Sequence, residues 1–298
     1  MVTPSEKTNI SGSLTQMTWS SNLNIVWHTF IARSRIILRY KGFVAFDVLI
    51  PILISAMPIL MGNAIAGSPS AAAANFAANT GTDNHTFYIL IGSCLMMVCS
   101  GALWQFGFWF RREQMTGTLE TLYLVPASRF NILMGISLYV AVRSIITFVL
   151  ALLIGNFVFG VSFSLFLSYD FLIALTFIIL GLIPMFGMGF LFGALILQIK
   201  EAQPLLNLFQ WVIYLLVGSF YPITALPIFL RIFSYLFPPT WVTQGVRASL
   251  LELEFFLETW YLDLAIVFMF ALLVPYLGYW LFTQIEQNLQ KNQGIGEY

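Results

Sequence analysis

The sequence predicts an all-α integral membrane protein. Six transmembrane helices are expected, with an N-terminal helix lying at the membrane surface, a short amphipathic helix in one cytoplasmic loop, and proline-broken re-entrant helices between spans 5 and 6. Three observations carry this. Of the 298 residues, 59% are hydrophobic and only 9% charged, whereas soluble domains carry roughly 25% charged residues. Six apolar runs come near the ~20 residues needed to cross ~30 Å of hydrocarbon. Ten of the thirteen Lys and Arg fall on one side when those runs are threaded through a membrane.

The first 20 residues are polar and rich in Ser and Thr, with no apolar core, so no cleavable signal peptide is expected. Residues 1–21 read as a disordered cytoplasmic leader, residues 22–284 as the membrane domain and residues 285–298 as a cytoplasmic tail. From Asn22 to Lys41, Ile25, His28, Phe30, Ile31, Ile36, Ile37 and Leu38 alternate with Arg33, Arg35 and Arg39 at loosely helical spacing. That pattern fits a helix at the inner membrane surface; the plainer alternative is a disordered basic leader. The spans are Phe43–Ala66, Phe87–Phe110, Ile132–Phe159, Phe171–Leu197, Leu205–Phe220 and Tyr261–Phe282. The loop Ser68–Asn84 is small and polar, includes Ala71-Ala72-Ala73-Ala74, and reads as a mobile outer loop. Pro222, Pro227, Pro238 and Pro239 interrupt the apolar region Ile223–Leu251. Each proline removes a backbone donor and breaks the helical ladder, so this region reads as one or two short helices dipping into the membrane or lying on its outer face.

Basic residues set the orientation. Lys7, Arg33, Arg35, Arg39 and Lys41 precede span 1, Arg111, Arg112 and Arg129 follow span 2, Lys200 follows span 4, and Lys291 follows span 6. The loops Gly67–Thr86 and Gly160–Asp170 contain no Lys or Arg. Both termini are therefore expected in the cytoplasm. Arg231 and Arg247 fall in the outer proline-rich region, and Arg143 within span 3.

Much chemistry is excluded. The two histidines, His28 and His85, fall on opposite sides of the membrane, so they assemble no metal site or triad together. No Gly-x-x-x-x-Gly-Lys-[Ser/Thr] phosphate loop occurs, so ATP hydrolysis by this chain alone is not expected. No internal repeat is apparent. Cys94 and Cys99 read as ordinary helix residues, and Gly181, Gly187, Gly189 and Gly193 as sites of close helix packing. Asp47, near the start of span 1, reads as solvated or capping. Arg143 is about 18 Å along span 3 from Asn131 at 1.5 Å per residue, so it should find an acceptor, in a structural pair or along a wet pathway. Phe209, Gln210, Trp211 and Tyr214 mix flat aromatic faces with polar handles, a surface suited to an amphipathic or sugar-bearing substrate; lipid-facing packing is the alternative.

Two passages resemble the membrane subunits of type-2 ATP-binding-cassette exporters, the group of drug, polysaccharide and lipo-oligosaccharide exporters. The first is Arg112-Glu113-Gln114-Met115-Thr116-Gly117-Thr118-Leu119-Glu120-Thr121-Leu122, continuing to Pro126-Ala127-Ser128-Arg129. The second is Gly218-Ser219-Phe220-Tyr221-Pro222, then Leu226-Pro227, Pro238-Pro239-Thr240 and Arg247-Ala248. The resemblance covers roughly Leu23 to Thr283.

The resemblance implies a six-span permease subunit and a coupling helix over Gly117–Leu122 that docks on a separate ATPase. Arg111, Arg112, Gly117, Thr118, Leu119, Glu120, Leu122 and Arg129 form that coupling set. Thr116 or Thr118 can cap the helix, and Leu119 and Leu122 make an apolar i, i+3 pair; a solvated turn is the alternative. Arg143, Phe209, Gln210, Trp211 and Tyr214, from the reading of the residues above, are the candidate substrate-pathway set. Phe220, Pro222, Pro227, Pro238, Pro239 and Arg247 are the implied outer gate. No cofactor is expected in this chain; ATP and Mg belong to the partner ATPase. Further implied partners are a second permease copy, identical or closely related, packed about a two-fold axis lined mainly by spans 2 and 5, and membrane lipid. No nucleic acid is implied, and the implied compartment is a bacterial inner membrane. Gln114-Met115-Thr116 stands where charged residues are common in the family, which implies docking electrostatics specific to one partner. The other readings are a membrane-embedded scaffold or assembly factor and, less favoured because repeats and a titratable relay are missing, a secondary transporter.

Overall fold

The computed structural model describes residues 19–109, 112, 115–117, 129–159, 168–197 and 202–292. Among these residues the structure is helical, without strands. The elements are α1 (Trp19–Arg39), α2 (Lys41–Ala66), α3 (Pro69–Thr80), α4 (His85–Gly107), α5 (Arg129–Phe159), α6 (Tyr169–Leu197), α7 (Ala202–Val217), a 3-10 turn (Ile223–Ala225), α8 (Ile228–Tyr235), α9 (Pro238–Leu251) and α10 (Trp260–Asn292). Helices α2, α4, α5, α6 and α10 are long and apolar enough to cross a membrane. At 16 residues α7 is shorter, about 24 Å at 1.5 Å per residue. The protein is a multi-pass membrane protein.

Helix α6 lies at the centre, packed along α10, α4 and α9. Its glycines make this possible, as expected. A Cβ at Gly187 would fall 2.5 Å from the Pro275 nitrogen of α10, one at Gly189 2.6 Å from Phe106 Cβ of α4, one at Gly181 2.3 Å from Val242 of α9, and one at Gly193 3.2 Å from the Phe106 carbonyl oxygen. Such close backbone approach maximises dispersion contact where lipid supplies no hydrophobic driving force. Cys94 and Cys99 are buried, free thiols within α4. A second apolar cluster, at the end of the bundle where α1 packs, joins Trp109, Leu133, Ile136, Tyr139, Phe282 and Ile285, with Phe30 and Ile37 of α1 packed against it.

The segment expected as a mobile outer loop forms helix α3 instead. Ser68 caps it by accepting from the Ala71 amide at 3.1 Å, Pro69 opens it, and Gly81 closes it at φ +81°. Four consecutive alanines are strong helix formers, and a Ser-Pro start with a glycine stop is a helix signature. Phe76 then packs edge-on against Tyr88.

The region between α7 and α10 forms two short helices, as expected, and its prolines stand at the helix starts. Pro222 and Pro227 sit at the N-caps of the 3-10 turn and α8, and Pro238 and Pro239 occupy the first turn of α9. There a missing N–H costs nothing, because the first amides of a helix lack partners anyway. Helix α9 is the buried one of the pair, inserted between α6 and α10. Helix α8 keeps Ile228, Phe229, Ile232 and Phe233 exposed. Asp263, in the first turn of α10, accepts from the Phe256 and Leu257 amides at 2.9 and 3.0 Å and pins the preceding loop.

Candidate functional site: an ion-paired cavity among α2, α4, α5 and α7

Arg143 of α5 meets Asp47 of α2. Its Nε donates to Asp47 Oδ2 at 2.6 Å, Nη2 contacts the same oxygen, and Nη1 reaches the Tyr139 hydroxyl at 3.4 Å. This corrects the solvated or capping reading of Asp47. The pair sets Arg143 level with the second turn of α2, about 9 Å from Lys41 at 1.5 Å per residue. The start of α5 lies beside α1, where Asn131 Nδ2 donates to Asn22 Oδ1 at 2.8 Å.

Beside the pair runs a directed hydrogen-bond chain. Trp104 Nε1 can only donate, and it gives its proton to Gln210 Oε1 at 2.6 Å. That fixes the amide so that Gln210 Nε2 faces and donates to the Tyr214 hydroxyl. Ser100 Oγ already donates to the Met96 carbonyl at 2.8 Å. Tyr214 therefore donates to Ser100 across 2.7 Å. The chain ties α7 to α4 and leaves each member satisfied.

Ion pair and chain border a cavity of about 340 Å³, lined also by Pro51, Met97, Gly101, Gln105, Ser144 and Thr147. Within α4 the residues left unburied after Thr86 are Met97, Gly101, Trp104 and Gln105. Their spacing of four, three and one is a single helical stripe, and it faces this cavity. Of the pathway residues expected from the sequence, Arg143 and Gln210 line the cavity, and Tyr214 lies one hydrogen bond behind it. Phe209 packs at a tilt against Phe192 of α6 with centroids 4.3 Å apart, and Trp211 is exposed on the outside of α7. Spans 1, 2 and 3 supply most of the lining, with Gln210 from α7. Sequence reasoning missed Asp47 as a partner, and Ser100, Trp104 and Gln105. Polar residues within a span were the available signal.

At the other end of α4, Arg247 of α9 is fully buried. It donates to the Tyr88 carbonyl at 3.3 Å, the Gly218 carbonyl at 2.9 Å and the Ser219 carbonyl. Its guanidinium lies 3.7 Å from the centroid of the Tyr88 ring, a cation–π contact. The gate residues Pro238 and Pro239 are buried nearby, Phe220 and Pro222 half-buried, and Pro227 exposed.

The coupling residues Arg111, Thr118, Leu119, Glu120 and Leu122 lie outside the described residues, as does the side chain of Arg129. Arg112 and Gly117 are exposed. The Arg112 amide donates to Phe108 and the Thr116 amide to Arg112, at 2.9 and 3.0 Å, so helical hydrogen bonding continues below α4. Gly117, at φ +69°, takes the left-handed conformation that ends a helix.

Long apolar helices surrounding a polar, ion-paired cavity define a multi-pass membrane domain of the transporter class. The chain belongs to the ABC-2 family of transporter proteins, whose sequence signature matches residues 7–280. No individually curated protein matches it. The family is one of membrane subunits that are not themselves catalytic, and membership implies an ATP-binding-cassette ATPase as partner.

Proposed function

We propose that this chain is the permease subunit of an ATP-driven exporter in a bacterial inner membrane. It moves an amphipathic, lipid-linked, polysaccharide or drug-like substrate out of the cytoplasm or inner leaflet. A separate ATPase supplies ATP and Mg. Helix α7 serves as the fifth of six spans, both termini face the cytoplasm, and two copies flank the pathway. The segment after Gly117, with Thr118, Leu119, Glu120 and Leu122, is the coupling helix, and Arg111, Arg112 and Arg129 border its docking surface.

The observation that carries this reading is the cavity. An ion pair beside a helix stripe that carries Trp104 and Gln105 is costly against lipid alone and useful against a passing polar group. The test is co-purification of the permease with its ATPase. Glu120→Lys combined with Leu119→Asp should abolish recovery of the complex and leave membrane insertion intact, because neither residue lies in a span. Undiminished recovery would remove the coupling assignment. A bound ATPase that no substrate stimulates would favour a scaffold.

A further inference from the structure

We propose that the cavity among α2, α4, α5 and α7 binds a zwitterionic group, with Arg143 holding its anionic end and Asp47 its cationic end. This rests on the cavity being the substrate site and names the chemistry it selects. Arg143 uses Nε and Nη2 on one carboxylate oxygen, Oδ2. Among the described residues Asp47 Oδ1 accepts no hydrogen bond, and Nη1 has only the long contact to Tyr139. Each charge thus keeps an unused bonding position. The side chains remain 36% and 22% exposed, so the pair is reachable.

Charge balance selects the ligand. A lone anion that draws Arg143 away leaves Asp47 an uncompensated carboxylate, and a lone cation leaves an uncompensated guanidinium; either is strongly unfavourable away from bulk water. A zwitterion exchanges one ion pair for two and strands neither charge. Gln105, which has no hydrogen-bond partner among the described residues, and the Ser144 and Thr147 hydroxyls add polar contacts, and the Trp104 ring offers a face for a cation. The volume, about 340 Å³, holds on the order of eleven water-sized groups at ~30 Å³ each. That suits a compact head group.

The test is calorimetric titration of the full chain in an uncharged detergent, using four probes. Dihexanoylphosphocholine is the short-chain lipid, glycerophosphocholine its tail-less head group, hexyl phosphate the lone anion and hexyltrimethylammonium the lone cation. The lipid should bind at least tenfold tighter than either singly charged probe. Binding of glycerophosphocholine as well would identify a soluble zwitterion as the source, and its failure to bind a membrane lipid. Asp47→Asn should weaken lipid binding at least tenfold and improve hexyl phosphate binding, and Arg143→Gln should do the same in favour of hexyltrimethylammonium. The wild-type comparison needs no variant: a singly charged probe that binds as tightly as the zwitterion, or no zwitterion binding, overturns the proposal. ATPase stimulation is read separately. Zwitterion binding without stimulation would keep the site and remove the export reading, and stimulation by uncharged substrates without zwitterion binding would do the reverse.

Discussion

Replacing Gly92 with alanine should loosen the end of the bundle around α9 by disturbing the Arg247 clamp. A Cβ at Gly92 would fall 1.8 Å from the Ser219 carbonyl oxygen and 2.1 Å from Arg247 Nη2. One of these is backbone, and the other is a guanidinium held by three carbonyls, so neither yields cheaply. To admit the methyl group, the turn at Gly218 and Ser219 must withdraw by roughly 1.5 Å to reach ordinary van der Waals contact. That breaks the Arg247 bonds to both carbonyls. Hydrogen bonds to a charged group contribute about 1.5–3 kcal/mol each, a loss of about 3–6 kcal/mol. Alanine returns up to about 1 kcal/mol of helix propensity over glycine.

A net loss of about 2–5 kcal/mol should lower the Tm of the detergent-extracted protein by on the order of 10 °C, taking about 2–4 °C per kcal/mol as for soluble domains of similar size. Gly101→Ala is the matched control. It lies on the same helix, nothing stands within 4 Å of the position its new methyl group would take, and it should leave Tm unchanged or slightly raised. Melting points for the two variants within about 2 °C of each other would refute the clamp.

Two further predictions complete the set. Arg143→Leu should lower Tm by stranding Asp47, by less than the roughly 3–5 kcal/mol of a fully buried pair because both side chains are partly exposed, whereas Arg143→Leu with Asp47→Leu should recover most of that loss; a double variant melting as low as the single one would show that the two residues are not coupled. Cysteines at Asp83, Tyr169 and Glu258, in a background lacking Cys94 and Cys99, should react with an impermeant thiol reagent from outside, and those at Gln114 and Asn292 should not. Asp83, Tyr169 and Glu258 are exposed, whereas Thr82 and Ser249 are buried and would not report. External labelling at position 114 would reverse the orientation.

Five of the six expected spans were legible because a bilayer imposes strong local rules on composition and length. A run of apolar residues declares itself without reference to the rest of the chain. Helix α3 was legible in principle: Ser68, Pro69 and Gly81 are ordinary start and stop signals, and reading the alanines as a loop ignored them. The Asp47–Arg143 pair was half legible, since an arginine in a span demands an acceptor, but no local pattern selects one 96 residues away. The glycine contacts were legible as a tendency to close packing and no further. That Gly92 faces Ser219, or Gly187 faces Pro275, depends on helix rotation and crossing, which tertiary packing decides.

The uneven burial of the spans bears on what surrounds the cavity. In the most apolar 18-residue stretch of α10 17% of residues are buried, and in that of α4 83%. For α10 this costs little, because its exposed residues include Phe268, Met269, Leu272, Leu273 and Leu277, and lipid tails solvate such side chains as well as protein does. The exposed stripe of α4 is different in kind. It presents Trp104 and Gln105 beside a charged pair, and hydrocarbon supplies no hydrogen-bonding group to Gln105 and no compensation for charge. The cavity must therefore face water, a polar ligand or another protein surface. The proposed permease pathway, closed on its far side by a second copy, would supply all three in turn as substrate enters and leaves.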